Sequence, residues 1–452
     1  MNRRTQCLIA LALTCSSACS EEAIDATDAS TPDAGDAGEA CPAPSLVPTL
    51  HAGGDLTRDE VWTAAGSPHV LQSTLYVSAG AKLTVEPCAV VRIAPDAKLI
   101  VEDDTRGGTL DARGTALRPI RFEGLNGRWG QLLVRAPGTA TLAHTTLVEG
   151  GGGDAKNGST LRAVGDGELP SDPILTVDHV TVRGAVRLDQ AATFAAGSTA
   201  LTISESSSYP LEVGELALGS IPSGSYTGNA IDSILIDVQV VSGQPGVQES
   251  ATLHDRGVPY QVGLEDDFDD LIVGSPDGAT PATLTIEPGV TLKFRAGTVL
   301  EVMHHVGTER PSNGVLRALG SADKPVVFTS ARPTPAAGDW QGLWFDGVAQ
   351  AANKLDHVRI EYTGADCGCS FVTCTRDVSE YEGAILLEEP PYGAFLTNSV
   401  IAHGSGHGVV QGYDGSAFDW TSSNTFAELA GCVTTSPREL GGQCTAEPAC
   451  AK

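Results

Sequence analysis

Acidic side chains bunched in turn-rich stretches are the first groups whose type and spacing could do chemistry. Glu102, Asp103 and Asp104 form one cluster; Glu265, Asp266 and Asp267 with Asp269 and Asp270 form another. Oxygen-only sets suit a hard cation, so Asp103, Asp104, Asp266 and Asp267 are candidate calcium ligands, and calcium is the one cofactor worth considering. Neither cluster has the spacing of a defined calcium loop, and hydrated loop acids are the competing reading. Histidines offer less. His304 and His305 are adjacent, so on a strand they point to opposite faces and cannot share an ion. His403 and His407 are four apart in a Gly-rich stretch that is not helical. No His or Cys pair has zinc spacing, so no transition-metal site is expected.

The groups that would do this work must be held outside the cell, to judge from the N-terminus. Arg3 and Arg4 precede an apolar run from Cys7 to Leu13 and small residues Ser16, Ser17 and Ala18, the layout of a signal peptide over residues 1–18. The residues after the arginine pair are too polar for the twin-arginine route, so general secretion is expected. Ala18–Cys19 resembles a bacterial lipobox, with Ser16 where leucine is usual. Beyond Cys19 the chain has eight cysteines, Cys41, Cys88, Cys367, Cys369, Cys374, Cys432, Cys444 and Cys450, which can pair completely if Cys19 is lipidated. The expected bonds are Cys41 to Cys88, and three among the other six with pairings left open. Residues 19–45 are acidic, with Ile24 the one large apolar residue as far as Ala40, and read as a disordered tether. The expected address is the outer membrane or cell surface, held by a lipid anchor, with plain secretion as the alternative. A formal net charge of −28 argues against nucleic acid as a partner.

The body of the chain is one pattern written twice. KLTVEPCAVVRIAPDAKLIV from Lys82 matches TLTIEPGVTLKFRAGTVLEV from Thr283, with Leu83 facing Leu284 at an offset of 201 residues. Farther on, GRWGQLLV aligns with GDWQGLWF, pairing Trp129 with Trp340, and His144 aligns with His357 at an offset of 213. The halves are residues 46–250 and 251–430, followed by a disulfide-containing tail at 431–452. Short alternating apolar runs broken by Gly, Pro and Asp read as strands, and their serial recurrence suits a coil advancing along an axis. Candidate interior columns include Leu83, Val91 and Leu99, and Leu284, Leu292 and Leu300. The fold class expected is all-β, a right-handed parallel β-helix.

The runs LTIEPGVTLKF, GVLRALGSADKPVVFTS, GDWQGLWF and LDHVRIEY, within residues 55–430, resemble the repeats of bacterial secreted or surface right-handed β-helix proteins with the pectate-lyase-like fold, here of lipoprotein type. Many such proteins cleave polysaccharides. The resemblance makes Asp269 and Asp270, and His407 within Gly406–Gly408, the catalytic candidates, but the first acidic triplet and the basic element of a pectin hydrolase are absent. A lyase would need an Arg or Lys base beside calcium carboxylates. Trp129 and Trp340 are candidate ligand-binding residues, as aromatic platforms for a sugar, with packing as the competing role. The reading favours a non-catalytic scaffold that binds a polysaccharide or another envelope protein, with a polysaccharide lyase or hydrolase as the alternative.

Overall fold

The computed structural model describes residues 41–102, 106–241, 244–264, 270–276, 279–305, 312–347, 349–365, 382–440 and 448–451. Nearly every ladder in it is parallel, as a chain built from repeated short strands requires. Along Lys82–Val85 the side chains alternate, Lys82 and Thr84 outward, Leu83 and Val85 inward and almost fully buried. The next two strands, Val90–Ile93 and Leu99–Val101, complete one turn, and each hydrogen-bonds to its counterpart one turn later. Three strands per turn, each paired above and below, make a parallel β-helix with one continuous apolar interior. No helix among the described residues is long and apolar enough to cross a membrane.

Leu83, Val91, Leu99, Leu284, Leu292 and Leu300 are all fully buried. They do not stack on one another, however, because each trio belongs to one turn and points inward from three different faces. The true columns run across turns: Leu75 pairs with Leu99, then Leu132, Leu161, Val186 and Leu211 follow in register. Each fully buried leucine in such a column contributes about 2 kcal/mol.

One 14-stranded sheet runs the length of the coil, from Gly54–Leu56 to Thr425–Leu429. The other two faces are broken between residues 214 and 250. There a 3-10 turn, Glu215–Ser220, replaces a strand, and Val240–Val241 pairs antiparallel with Gln244–Pro245. Buried Glu215 ties these pieces together by accepting from the backbone N–H of Gln239 (3.0 Å) and Gly246 (3.2 Å); burial pushes its carboxyl up to about 8. The break shifts the repeat by one face. Val90–Ile93 lies in the first-half sheet, yet its sequence equivalent Thr291–Phe294 lies in the continuous sheet; Leu99–Val101 lies in the continuous sheet, yet its equivalent, Val299–His305, lies in a separate 10-stranded sheet. Duplicated sequence therefore does not mean duplicated position around the axis.

Cys41 is bonded to Cys88, the pairing expected from the sequence, and Cys432 to Cys450. Cys88 sits at φ +75 in a turn closed by Ala89 N–H to the Glu86 carbonyl. Its equivalent, Gly289, has φ +91, so the first half accepts a left-handed cysteine in order to fasten the incoming chain. Cys367, Cys369, Cys374 and Cys444 lie outside the described residues.

Candidate functional site

The expected catalytic and binding residues are dispersed. His407 is fully buried, and its Nδ1 accepts from the Cys432 N–H at 2.8 Å. It opens the strand His407–Gln411, so Gly408 is a strand residue. A Cβ on Gly408 would meet the Val433 carbonyl oxygen at 2.4 Å. A histidine enclosed in this way cannot reach a polysaccharide, which removes it as a catalytic candidate. His403 instead pairs with Glu428 at 2.7 Å on the outside, so the two histidines do not converge.

Trp129 and Trp340 are also fully buried, their Nε1–H groups donating to the carbonyls of Val148 and Glu361, both at 2.7 Å. Trp340 stacks on Phe294 with ring centroids 4.2 Å apart. Neither indole offers a face to a ligand, because each fills a corner of the interior and satisfies its one polar atom there. Cys19, Asp103, Asp104, Asp266, Asp267 and Asp269 lie outside the described residues. Asp270 is described: its carboxylate accepts from the Val299 N–H at 3.0 Å, at the entrance to a strand that carries further acids.

That strand, Val299–His305, lies beside Gly342–Gly347, which lies beside Gly383–Leu387. Leu300, Leu343 and Ile385 are in register and point inward, as do Val302, Phe345 and Leu387. Period-two alternation then turns Glu301, Met303 and His305 outward, with Trp344, Asp346 and Glu388 beside them. Met303 pairs with Asp346 in the ladder, and Glu301 with Trp344. Asp346 stands within hydrogen-bond reach of both Glu301 and Glu388, and His305 Nε2 is 2.8 Å from its Oδ2.

The three carboxyls are driven apart in acidity. Burial, then the charge of Asp346, pushes Glu301 up to about 8. Burial and the hydrogen bond with Asp346 push Glu388 up to about 8. Burial opposes the charge on Asp346 too, but hydrogen bonds from Glu388 and His305 outweigh it and hold that carboxyl below its ordinary range. At neutral pH the site therefore holds two carboxylic acids around one carboxylate. Such a split is how one site supplies both a proton donor and a base.

Above the ordinary glutamate range and up to about 8, the folded chain keeps protons on Glu301 and Glu388 that the unfolded chain has released. Stability must fall as pH rises through that window. Asp346 works in the opposite sense but only in acid. Glu301→Gln should match the wild type near pH 4.5 and exceed it near pH 8 by on the order of 1–2 kcal/mol, allowing for partial exposure. Urea midpoints across this range check it; a gap that does not widen with pH would refute a protonated Glu301.

The first half serves as an internal comparison. At the positions of Glu301, Trp344 and Asp346 the repeat has Ile100, Leu133 and Arg135, and Val164 occupies the ladder position of Glu388. Ile100, Leu133 and Val164 form a small apolar cluster apart from the interior, beside an Arg135–Glu102 pair at 2.7 Å. The acid set is thus a property of one copy and not of the fold. No local motif announces it, since its members come from three successive turns. Comparing the halves position by position, Ile100 against Glu301 and Arg135 against Asp346, is the sequence signal that would have found it. The three carboxyls do not bring their oxygens together as a cation's ligand set.

Residues 271–370 match the family model of the pectate-lyase like beta helix domain, a stretch that includes Glu301, Trp344 and Asp346. No curated protein and no solved structure matches the chain.

Proposed function

We propose that this β-helix protein cleaves glycosidic bonds of a polysaccharide on the outer face formed by Val299–His305, Gly342–Gly347 and Gly383–Leu387. The arrangement that carries the reading is Asp346, paired with His305 at 2.8 Å and held below its ordinary range, between Glu301 and Glu388, which burial makes weaker acids with pKa values pushed up to about 8. Glycoside hydrolysis needs a protonated carboxyl to give its proton to the leaving oxygen and a carboxylate to activate water or attack the sugar carbon, at least about 5 Å apart, so the hydrogen bond joining Asp346 to the acid must open as the sugar enters between them. Glu301 or Glu388 serves as the acid. Asp346 serves as the base or nucleophile, oriented by His305. The half-exposed Trp344 indole stands next to them in place of the platform sought at Trp129 and Trp340. The fold alone is equally compatible with a non-catalytic scaffold; the split carboxyls favour the enzyme.

The purified mature chain should be incubated with uronate-containing and neutral polysaccharides, with and without calcium, while reducing ends and unsaturated-product absorbance are recorded. Hydrolysis predicts new reducing ends without unsaturated product. Unsaturated product would replace hydrolysis by elimination, and glycan binding without turnover would return the protein to the scaffold reading.

Export and lipidation of Cys19 belong to the same proposal, because they deliver the site to extracellular polysaccharide on an acidic tether. Cys19→Ser should move the protein from the membrane fraction to the soluble fraction. A wild type that is already soluble would point to plain secretion.

A further inference from the structure

We propose that His144, Asp178 and His179 form a binding site for one divalent transition metal ion, zinc being the reference case. The site arises at a corner of the first half, where the chain passes between two faces through a single left-handed residue. His144 has φ +42 and His179 φ +51. Ala143 is in register with Asp178, and the His144 N–H donates to the Asp178 carbonyl at 2.8 Å, so the two histidines occupy the same corner in successive turns. Their rings stack with centroids 4.7 Å apart and 14° between planes. Asp178 Oδ1 lies 2.6 Å from His179 Nδ1. One ligand atom from each of the three residues lies within 4.8 Å of the other two.

Two imidazoles and one carboxylate are a donor set for zinc, copper or nickel, and a poor one for calcium, which takes oxygen ligands. Bonds of about 2.0–2.1 Å place ligand atoms roughly 3.4 Å apart in a tetrahedral site, so the 2.6 Å contact between Asp178 and His179 must open and any wider donor pair, all of which lie within 4.8 Å, must close. The ion must also lie near the plane of each ring, which the stacked arrangement does not allow. His179 can turn to meet both needs, since its side chain is 59% exposed. The neighbouring turns leave room for it. Below His144 the corner residue is Gly114, whose N–H donates to the Ala143 carbonyl; above His179 it is Ala200, at φ +52. With small residues on both sides, the remaining coordination positions open to water.

In the second half the sequence-equivalent corner lacks the second imidazole. There the column is Gly320, His357 and Asn398, and the Asn398 amide donates to Asp356 Oδ1 at 2.9 Å. An amide satisfies the carboxylate but does not replace an imidazole as a metal ligand. His179→Asn therefore removes the second imidazole at a backbone angle that asparagine already adopts at φ +53, although in the second half the carboxylate, Asp356, adjoins the histidine and not the asparagine.

The test is calorimetric titration of zinc chloride into the metal-stripped, disulfide-oxidised mature protein near pH 7.5, on wild type, His144→Ala and His179→Asn. One equivalent should bind to the wild type, raising its melting temperature. Both variants should melt like the metal-free wild type and bind at least about tenfold more weakly. Equal affinity in His179→Asn, or no binding by the wild type, overturns the site. Since the variants leave Glu301, Asp346 and Glu388 untouched, polysaccharide turnover should be unchanged by them.

Discussion

Asp346→Asn should lower polysaccharide turnover by at least about a hundredfold while leaving the fold as stable as the wild type, or more so. The loss follows from removing the one ionised carboxyl of the set, since a positioned acid or base is worth about two to four orders of magnitude. Asp346→Asn loses the hydrogen bonds that favour the ionised carboxyl, and relief of its neighbours offsets that loss. Glu301 and Glu388 are held protonated by burial and by the charge of Asp346; with an amide there, both regain more ordinary acidity and the cost of keeping them protonated falls. A residue retained for packing or pairing would behave in the opposite way, with activity and stability lost together. The pH profile gives a second readout. In the wild type the alkaline limb should fall near 8 as the acid ionises, and in any residual activity of Asp346→Asn it should move down. Turnover within a few-fold of wild type, or a collapse of stability, would remove Asp346 from the chemistry.

The sequence was informative where the physics is local or periodic. Alternation along Lys82–Val85 and the match of Leu83 with Leu284 are enough to predict short strands and a coil, and Cys41–Cys88 is the bond expected to tie the incoming tether to the first turns. It was uninformative where position depends on stacking across turns. Leu83, Val91 and Leu99 are all interior, yet their grouping into one column failed because one turn spreads them over three faces. Glu301, Asp346 and Glu388 meet only because the strands are in register, with a long stretch of chain between each pair. The corner histidines escaped notice for the same reason, as His144 and His179 have no metal-binding spacing along the chain and converge through Ala143 pairing with Asp178. The aromatic platform failed for a different reason. A tryptophan in a strand context is equally compatible with either face, and Trp129 and Trp340 point inward, where a buried carbonyl accepts from each indole.

Arg187→Ala should cost about 3–5 kcal/mol, a larger loss than most single substitutions produce. The strand Ala185–Asp189 sends Val186 and Leu188 into the interior and Arg187 and Asp189 to the outer side, yet the two charged residues are only 4% exposed. Arg187 meets three carboxylates there: its Nε donates to Asp189 at 2.6 Å, and its terminal nitrogens donate to Glu212 and Asp237. Arg162 reaches Asp189 at 2.6 Å, and Asn157 donates to Glu212 at 2.9 Å, so the acids are shared by a network that lines a cleft of about 560 Å³. Removing the guanidinium leaves Glu212 and much of Asp189 buried against like charge, a penalty that far exceeds the net worth of the pairs themselves. Arg187→Lys should recover only part of the loss, because a single ammonium cannot present a planar fork to three acceptors. Urea midpoints of the two variants near neutral pH measure both losses. A neutral-pH loss below about 1 kcal/mol would mean that water reaches this network freely, in which case the cleft and not the ion pairs governs the outer face of the first half.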